Sequence, residues 1–459
     1  MHANSKRANA AATFEDLDTV SQSDVAQTFV DRYFGAFAFD HTRGKWYRWT
    51  GKLWELDDTK LAFHRAVDLS RHYSANLTGS QRRDCRKSAF AHGVLAIAAA
   101  DPALAVVARR WNPDPFLLGT PDGTVDLKTG ALREPSPGDY ITRAVAVVPA
   151  ETANCPKWLA FLDEVFEGNA GMICFIRQWF GYSLTGSTRE QKFMMLHGPG
   201  GNGKGTLLGT VSAIAHDYYV EAPIETFLAS AHDRHPTELA GLDGARLVSA
   251  TETDRGRSWN EQRLKQLTGG DTISARFMRG DFFQFKPQFS LTVQGNHMPE
   301  FKAIDDAMRR RLILVPMLHK PAKANLSLAD ELMPEWPSIL RWMIEGCLDW
   351  QQNGLVVPAE IGTATDEYFA EQDTFNAWLE ECCRVDRGNN YLFGTPTCLF
   401  GSFSAFMKRN GLAPGSLKSF SEELERNGFP LERKNSERRR IGIQLKASEG
   451  QGYSGGDGL

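Results

Sequence analysis

The chain has 459 residues, of which 42% are hydrophobic and 24% are charged, and its formal net charge is −4 at pH 7. This length exceeds one ordinary hydrophobic core, so we expect two to four domains at roughly 150 residues per domain. The composition is that of a globular protein, and the net charge excludes a chain that is basic throughout, so any surface for nucleic acid must be local. The seven cysteines include no Cys-X-X-Cys spacing, which argues against a zinc site and a disulfide framework and favours a reducing cytosol.

No stretch approaches about 18 consecutive apolar residues, so we expect no membrane span. The polar, alanine-rich start of the chain lacks the apolar core of a signal peptide, and residues 1–20 are expected to form a disordered tail. Residues 448–459 are rich in glycine and are expected to form a flexible tail.

Residues 21–155 are expected to form an α+β domain. Apolar residues at helical spacing predict a helix from Asp24 to Phe39, and aromatic residues on either side of Thr50-Gly51 predict a hairpin. Those rings could stack on bases, although one packed face of a small sheet is the commoner meaning of the pattern. The composition of residues 59–108 is helical.

Turn signals interrupt the chain between residues 112 and 130, which predicts short strands there. Residues 124–127 and 131–133 are expected to pair as a hairpin, and residues 140–148 are expected to form a further strand. Helix is expected again from Pro156 to Leu184.

A glycine-rich stretch lies between an apolar run at residues 193–196, which predicts a buried strand, and a helix-compatible segment. Strand, glycine-rich turn, lysine and helix in this order predict a loop that binds phosphate. Glycines let successive N–H groups converge on an anion, and the helix start adds a partial positive charge. The predicted loop comprises Gly198, Pro199, Gly200, Gly201, Asn202, Gly203, Lys204, Gly205 and Thr206.

Lys204 is expected to reach the outer phosphates of a nucleotide. The usual pattern places Ser or Thr directly after the lysine to hold Mg²⁺, and this chain has Gly205 there. Thr206 is the nearest hydroxyl, so it is the candidate metal ligand. The alternative to a phosphate loop is a glycine-rich turn without a ligand.

Two further strands are predicted to end in polar side chains. The first runs through residues 246–251 and ends in Glu252, with Asp254 two residues later; an acid there is placed for Mg²⁺ and the attacking water. The second runs through residues 289–295 and ends in Asn296, whose amide could orient water or sense the γ-phosphate. Taken singly, a surface carboxylate and a strand-capping Asn are the alternatives.

Basic residues lie among phenylalanines on either side of a predicted turn at Gly280-Asp281. A basic hairpin can follow a phosphate backbone without reading sequence, and an amphipathic hairpin with its charges in water is an equal alternative. The DNA-binding candidates in this region are Lys265, Arg276, Arg279 and Lys286.

Three arginines precede an apolar strand at residues 312–316. Arg310 or Arg311 could act as an arginine finger on the nucleotide of a neighbouring subunit. A solvated charge run is the other meaning of such a cluster.

The end of the chain is expected to hold a helical extension at residues 321–385 and a winged-helix domain at residues 390–447, because two helices are followed by a hairpin. Between Lys408 and Lys446 ten Lys and Arg residues face five Glu, an excess of five positive charges. The predicted wing could reach phosphates or the minor groove, with subunit packing as the alternative. Its DNA-binding candidates are Lys434, Arg438, Arg439 and Arg440.

Taken together, these elements resemble superfamily 3 helicases, specifically the primase-helicase branch found in phages, plasmids and poxviruses. The order and spacing of the matching residues make the resemblance specific, and it covers most of the chain. The matching segments are residues 122–127, 139–142, 198–206, 252–254, 267–271, 276–279, 282–285, 295–299 and 310–311. The chain departs from the usual pattern of this family at three positions. Gly205 replaces the hydroxyl residue, Arg309 stands where a Trp is common, and Met317 stands where a Phe is common.

The resemblance implies an α/β fold with an AAA+-like P-loop ATPase core at residues 156–320, which binds ATP and Mg²⁺. It implies Asn296 as the γ-phosphate sensor, Arg310 or Arg311 as the finger, and the hairpin of Arg276 and Arg279 as the DNA contact inside a central channel. Such proteins form rings, expected here to be hexamers, that translocate on single-stranded DNA in the cytoplasm of a bacterial host.

The expected function is therefore an ATP-dependent replicative DNA helicase of a phage, plasmid or other mobile element. No primase activity is expected of this chain, so a separate primase is an expected partner, together with single-stranded DNA and duplex DNA at an origin. The alternative is an origin- or partner-binding replication protein that uses the ATPase fold as an assembly switch.

Overall fold

A computed structural model describes residues 19–230, 237–252, 257–278, 281–301, 305–321, 325–372, 374–434 and 437–446. The chain divides into two compact units. One comprises Met1–Glu300 with Arg310–Ala364, and the other comprises Phe301–Arg309 with Thr365–Leu459.

The first unit begins with helices packed on a small sheet. The helices are α1 (Gln22–Tyr33), α2 (Leu61–Tyr73), α3 (Gly79–Cys85) and α4 (Ser88–Ala100). The strands are β1 (Phe37–Asp40), β2 (Lys45–Trp49), β3 (Trp54–Leu56) and β4 (Ala105–Val106), in the order β3-β2-β1-β4. The predicted hairpin of β2 and β3 is confirmed.

Helix α1 is shorter than the sequence predicted. Ser21 caps it, since its hydroxyl accepts from the Asp24 N–H at 3.2 Å and its own N–H donates to the Asp24 carboxylate at 3.0 Å. Gly35, with φ of +75°, then turns the chain, and Phe37 pairs with Arg48 on β2. The helix expected to reach Phe39 was therefore wrong at its end, because the apolar spacing continues into a strand.

A three-stranded antiparallel sheet follows, made of β5 (Leu117–Thr120), β6 (Gly123–Asp126) and β7 (Ala131–Arg133). The predicted hairpin is β6 with β7. The prediction of a strand at residues 140–148 was wrong. The N–H groups of this segment donate to separate elements: that of Val145 to Gly119 O and that of Ala146 to Ile214 O, each at 2.9 Å.

The rest of the first unit is built around a parallel sheet in the order β14-β8-β13-β10-β9. Its strands are β8 (Phe193–His197), β9 (Tyr219–Glu221), β10 (Leu247–Glu252), β13 (Ser290–Gly295) and β14 (Leu312–Pro316). A separate hairpin pairs β11 (Ile273–Arg276) with β12 (Phe282–Phe285).

Helices surround this sheet. They are α5 (Pro156–Val165), α6 (Ala170–Ser183), α7 (Lys204–Ala215), α8 (Thr237–Ala240), α9 (Glu261–Gly269), α11 (Leu328–Leu332), α12 (Trp336–Asn353) and the start of α13 (Ala359–Gln372). The α/β class with a parallel sheet is thus confirmed.

The strands β8 and β14 of this sheet are mainly apolar, as expected for strands that the core covers on both faces. The side chains of Phe193 to Leu196 and of Leu312 to Val315 are almost fully buried. One hydrophobic core runs from Leu118 to Ile361, and Cys155 and Trp158 both belong to it. The expected domain boundary between residues 155 and 156 therefore falls inside this core.

The second unit contains α10 (Asp306–Arg309) and a domain of helices and short strands. Its helices are α14 (Thr374–Cys382), α15 (Pro396–Arg409) and α16 (Leu417–Arg426), and its strands are β15 (Cys383–Val385), β16 (Phe393–Gly394), β17 (Leu431–Lys434), β18 (Glu437–Ile441) and β19 (Ile443–Leu445). Strand β15 pairs with β19, and the other three lie in the order β16-β18-β17. Phe403 and Phe420 stack in the core with ring centroids 4.8 Å apart.

Two glycines allow α6 and α12 to pack closely. A Cβ on Gly181 would collide with the backbone of Gly346 and Cys347, and one on Gly346 would collide with the Arg177 carbonyl. We expect Gly181→Ala to destabilise the protein by about 1–3 kcal/mol, the usual cost of overpacking, and to lower the thermal unfolding midpoint accordingly.

Gly209→Ala on α7 is the matched control, because a Cβ there has no neighbour within 4 Å. Alanine is favoured over glycine in a helix by roughly 0.5–1 kcal/mol, so the control should melt at or above the wild-type temperature. A Gly181→Ala protein that melts like the wild type would contradict the close helix contact.

Candidate functional site

The loop between β8 and α7 adopts a conformation that depends on glycine. Gly201 and Gly203 have φ of +79° and +86°, a region that side chains disfavour. A Cβ on Gly203 would also lie 2.9 Å from Val165 Cγ2, and one on Gly198 would collide with Met317 O. The backbone thus reaches Lys204, the first residue of α7, along a path that other residues could not follow.

Lys204 is buried, and its ammonium is held by the loop itself. Its Nζ donates to Gly198 O at 2.6 Å, to Asn202 Oδ1 at 2.9 Å and to Pro199 O at 3.2 Å. Burial lowers the pKa of the Lys204 ammonium. Asn202 is also buried, and its Nδ2 donates to Met317 O, which follows β14.

Four parallel strands end level with one another beside this loop. Glu252 on β10 lies opposite Gly295 on β13, which lies opposite His197 on β8, which lies opposite Pro316 on β14. Because His197 directly precedes the loop, the carboxyl ends of all four strands meet where the loop begins.

This register brings three of the predicted site residues to one edge of the sheet. A Cβ on Gly295 would lie 2.9 Å from Glu252 Cβ, and a Cβ on Gly200 would lie 3.9 Å from Asn296 Nδ2. Glu252 is buried, with 3% of its surface exposed. Lys204, Glu252 and Asn296 therefore surround one place, and their roles stay predictions.

The oxygen donors at this edge are those that Mg²⁺ prefers, since Thr206 carries a hydroxyl and Glu252 a carboxylate. Thr206 is half-buried in the first turn of α7. A Cβ on Gly205 would meet no atom within 4 Å, so glycine is not required there by packing. Asp254, the second acid predicted for the metal, lies outside the described residues.

Arg310 and Arg311 lie at the opposite edge of the sheet, where β14 begins. The Phe193 N–H at the start of β8 donates to Arg311 O at 2.8 Å. The five residues of β8 therefore lie between Arg311 and the loop, a distance of about 16 Å at the usual rise per strand residue. Arg311 is buried, and its Nε donates to Thr268 Oγ1 at 3.3 Å. Arg310 is exposed.

The hairpin of β11 and β12 presents apolar side chains to solvent. Phe277, Met278 and Phe282 are 56%, 80% and 63% exposed, and the Arg276 guanidinium lies 5.2 Å from the centre of the Phe282 ring. Lys286 is exposed just beyond β12, and Lys265 is half-buried on α9. Arg279 lies outside the described residues.

The basic candidates of the second unit have different environments. Arg440 is buried, pairs with Glu425 and donates to Phe429 O and Ser421 O, each at 2.8 Å. Its guanidinium is thus held inside the domain, so the prediction that Arg440 contacts DNA was wrong.

The other wing candidates lie on the β17–β18 hairpin. Arg439 Nε donates to Glu437 at 2.6 Å, and its guanidinium lies 4.0 Å from the centre of the Phe393 ring. Arg438 is exposed. Lys434 is the last residue of β17, and its side chain lies outside the description.

Sequence reasoning missed two side chains beside the loop. Asn202 was counted as part of the loop, and its bond to Met317 was not foreseen. Lys320 has its Cε 3.3 Å and its Nζ 3.9 Å from the position of a Cβ on Gly201. A lone lysine after a strand has no motif, so only the pairing of β14 with β8 could reveal it.

None of the helices in the described part of the chain is both long and apolar enough to cross a bilayer.

Two known protein families are similar to separate parts of the chain. The model described as "D5 N terminal like" matches residues 26–167, and that of a family of unknown function (DUF5906) matches residues 196–311. The apo C-terminal region of NrS-1 (305–718) has a similar fold in two structures, each 10% identical, with TM-scores of 0.53 and 0.50. They cover 93% and 94% of this chain and 100% of theirs. At this identity the likeness concerns the fold alone.

Two curated viral proteins are similar in sequence. The putative helicase L207/L206 of Acanthamoeba polyphaga mimivirus is 27% identical over 305 residues, which are 61% of this chain and 32% of that protein. The putative helicase 022R of Frog virus 3 (isolate Goorha) is 27% identical over 253 residues, which are 50% of this chain and 26% of that protein. This chain therefore spans a third or less of the length of these relatives. The matches are thus to a D5 N-terminal-like domain at the start of the chain and to two viral proteins named as putative helicases.

Proposed function

We propose that the chain is a superfamily 3, ATP-dependent replicative DNA helicase of a phage, plasmid or other mobile element, and that it translocates on single-stranded DNA as a ring. One observation carries this proposal: the level ends of β8, β10, β13 and β14, which gather Lys204, Glu252 and Asn296 around the glycine-rich loop. The bacterial host stays a prediction, since the two viral relatives come from other hosts.

The loop is proposed to bind the phosphates of ATP through its N–H groups and Lys204. The lysine first has to leave Gly198 O, Pro199 O and Asn202 Oδ1. The loop oxygens are neutral acceptors whereas phosphate oxygens carry negative charge, so the exchange of acceptors favours the nucleotide. The helix start at α7 adds its partial charge on the same side.

Hydrolysis is proposed to take place between Glu252 and Asn296. Bound Mg²⁺ would supply charge neutralisation on the phosphates, with Thr206 and Glu252 as the oxygens that hold it. The Glu252 carboxylate would orient the attacking water, and the Asn296 amide would contact the γ-phosphate. Both are carried by strand ends rather than by long loops, which fixes their spacing.

Arg310 is proposed as the arginine finger of the neighbouring subunit. It lies on the sheet edge away from its own loop, so it cannot complete the site of its own chain, and its exposure leaves it available to a neighbour. Arg311 is buried against Thr268 and is proposed to support the fold. Head-to-tail neighbours complete the site of every subunit when they close into a ring, which we propose to be a hexamer.

DNA is proposed to contact the β11–β12 hairpin. Exposed Phe277 and Phe282 offer flat faces for bases, and Arg276 and Lys286 offer charge for phosphates. The second unit is proposed to be a winged-helix domain, in which Arg438, Arg439 and Lys434 face duplex DNA at an origin. Such a ring would work with a separate primase.

The alternative is a replication protein that binds a nucleotide as an assembly switch without turning it over. Two features favour it: Gly205 replaces the hydroxyl that usually holds the metal, and Lys204 is engaged by its own loop. Turnover separates the two functions, because a switch binds and assembles without sustained hydrolysis.

Lys204→Ala is expected to reduce DNA-stimulated ATP hydrolysis by about 10²–10³-fold, the scale on which removal of one charge-stabilising donor acts. Lys45→Ala, an exposed lysine on β2, is the matched control and should hydrolyse ATP at the wild-type rate. Steady-state phosphate release measures both. Hydrolysis by Lys204→Ala at the wild-type rate would rule out the helicase proposal, and nucleotide binding without turnover in the wild type would favour the switch.

Arg310→Ala is expected to lower ATP hydrolysis by about 10³-fold or more without changing the melting temperature, as expected for an exposed arginine finger. Mixing Arg310→Ala with Lys204→Ala should restore activity, since an intact loop then faces an intact arginine at some interfaces. Arg311→Ala should instead lower the melting temperature, because Arg311 is buried. Mixed rings no more active than either mutant would contradict the shared site.

Gly205→Ser is expected to lower the Mg²⁺ concentration for half-maximal hydrolysis by on the order of tenfold, the scale on which changes around a metal alter its affinity. The open space around a Cβ at Gly205 accommodates the serine. Gly205→Ala fills the same space without a hydroxyl and serves as the control. An identical Mg²⁺ dependence for the two variants would show that position 205 does not contact the metal.

A further inference from the structure

The segment after β14 is packed on the glycine-rich loop. The Met317 N–H donates to His197 O at 2.7 Å, which extends the pairing of β14 with β8 to the point where the loop begins. Met317 O accepts from Asn202 Nδ2 and lies against Gly198. The three residues after Met317 are therefore carried along the outside of the loop.

Lys320 ends this segment with its ammonium beside the loop. Its Nζ lies 3.9 Å, and its Cε 3.3 Å, from the position of a Cβ on Gly201, so the absence of that Cβ leaves room for the lysine. The side chain is exposed, and its ammonium has no hydrogen-bond or ion-pair partner among the described residues.

The neighbouring charges leave this ammonium available. Glu167, at the end of α5, lies with its Oε1 3.5 Å from His319 Nδ1 and thus accompanies the histidine rather than the lysine. Lys204, by contrast, donates to three acceptors of its own loop. Asn296 Nδ2 lies 3.9 Å from the position of a Cβ on Gly200, the residue before Gly201. The bend at Gly200 and Gly201 thus has an amide and an ammonium close to it.

We propose that Lys320 is a second phosphate-binding cation of this site and that it contacts the outer phosphates of a nucleoside triphosphate. An ammonium on a flexible stem acts as a point charge that can follow phosphate oxygens. The assignment rests on the proposed function.

The test is equilibrium binding of fluorescently labelled ATP and ADP to the full chain at low salt, with and without Mg²⁺. Lys320→Ala should weaken ATP binding by about tenfold, the lower end of the range for a hydrogen bond to a charged group, and should weaken ADP binding less. Lys320→Arg should retain most of the ATP affinity, because it keeps the charge. Lys45→Ala should bind both nucleotides like the wild type.

Melting temperature and added salt separate binding from folding. Because Lys320 is exposed, Lys320→Ala should melt like the wild type, and its loss of ATP affinity should shrink as salt screens the charge. A melting temperature that falls together with the affinity for both nucleotides would assign Lys320 a structural role and overturn the proposal.

The remaining outcomes distinguish this inference from the proposed function. If Lys204→Ala loses ATP binding and Lys320→Ala keeps it, Lys320 is not a phosphate contact and the proposed function stands. If the wild type itself fails to bind ATP, the proposed function fails and the role of Lys320 fails with it.

Discussion

The in-register pairing of four parallel strands is the constraint on which the rest of the site depends. Glu252, Gly295, His197 and Pro316 lie opposite one another, so each strand delivers its last residue to the same edge. The run from Phe193 to Leu196 is buried on both faces of the sheet, so a shift of one residue would exchange the side chains that pack on each face and would disrupt their close packing. The hydrophobic core therefore fixes the register, and the register fixes the spacing of the polar groups at the edge.

The two ends of β14 lie at opposite edges of the sheet. The end of β14 is tied to the glycine-rich loop through Met317, and its start carries Arg310 on the far edge. The five residues of β14 therefore join the segment that contacts the glycine-rich loop to the arginine at the far edge. Asn202 is the side chain that attaches the loop to this strand. The proposed ring would need such a connection between neighbouring sites.

A buried arginine joins two sheets of the first unit that share one hydrophobic cluster, although two family models match the unit. Arg246 donates to Leu184 O at 2.7 Å and to Leu117 O at 2.8 Å, and it lies 4.4 Å from the centre of the Tyr218 ring. Burial lowers its pKa, and the carbonyls compensate the charge. The antiparallel sheet that begins with β5 is thereby joined to the parallel sheet, so the sequence families meet at residues 167–196 without a corresponding gap in the packing.

The sequence by itself determined the local features: the strand, glycine-rich loop and helix around Lys204, the apolar runs of the sheet and the hairpins β2–β3 and β6–β7. Apolar spacing and turn residues act over a few positions, so they can be recognised without knowing the neighbours. Tertiary structure decided what depends on distant partners. It buried Arg311 and Arg440, left Arg310 exposed, divided the N–H groups of residues 140–148 among several elements and placed Lys320 beside Gly201. These outcomes follow from which strands pair and in what register, and that choice is made by burial of the whole core rather than by any short segment.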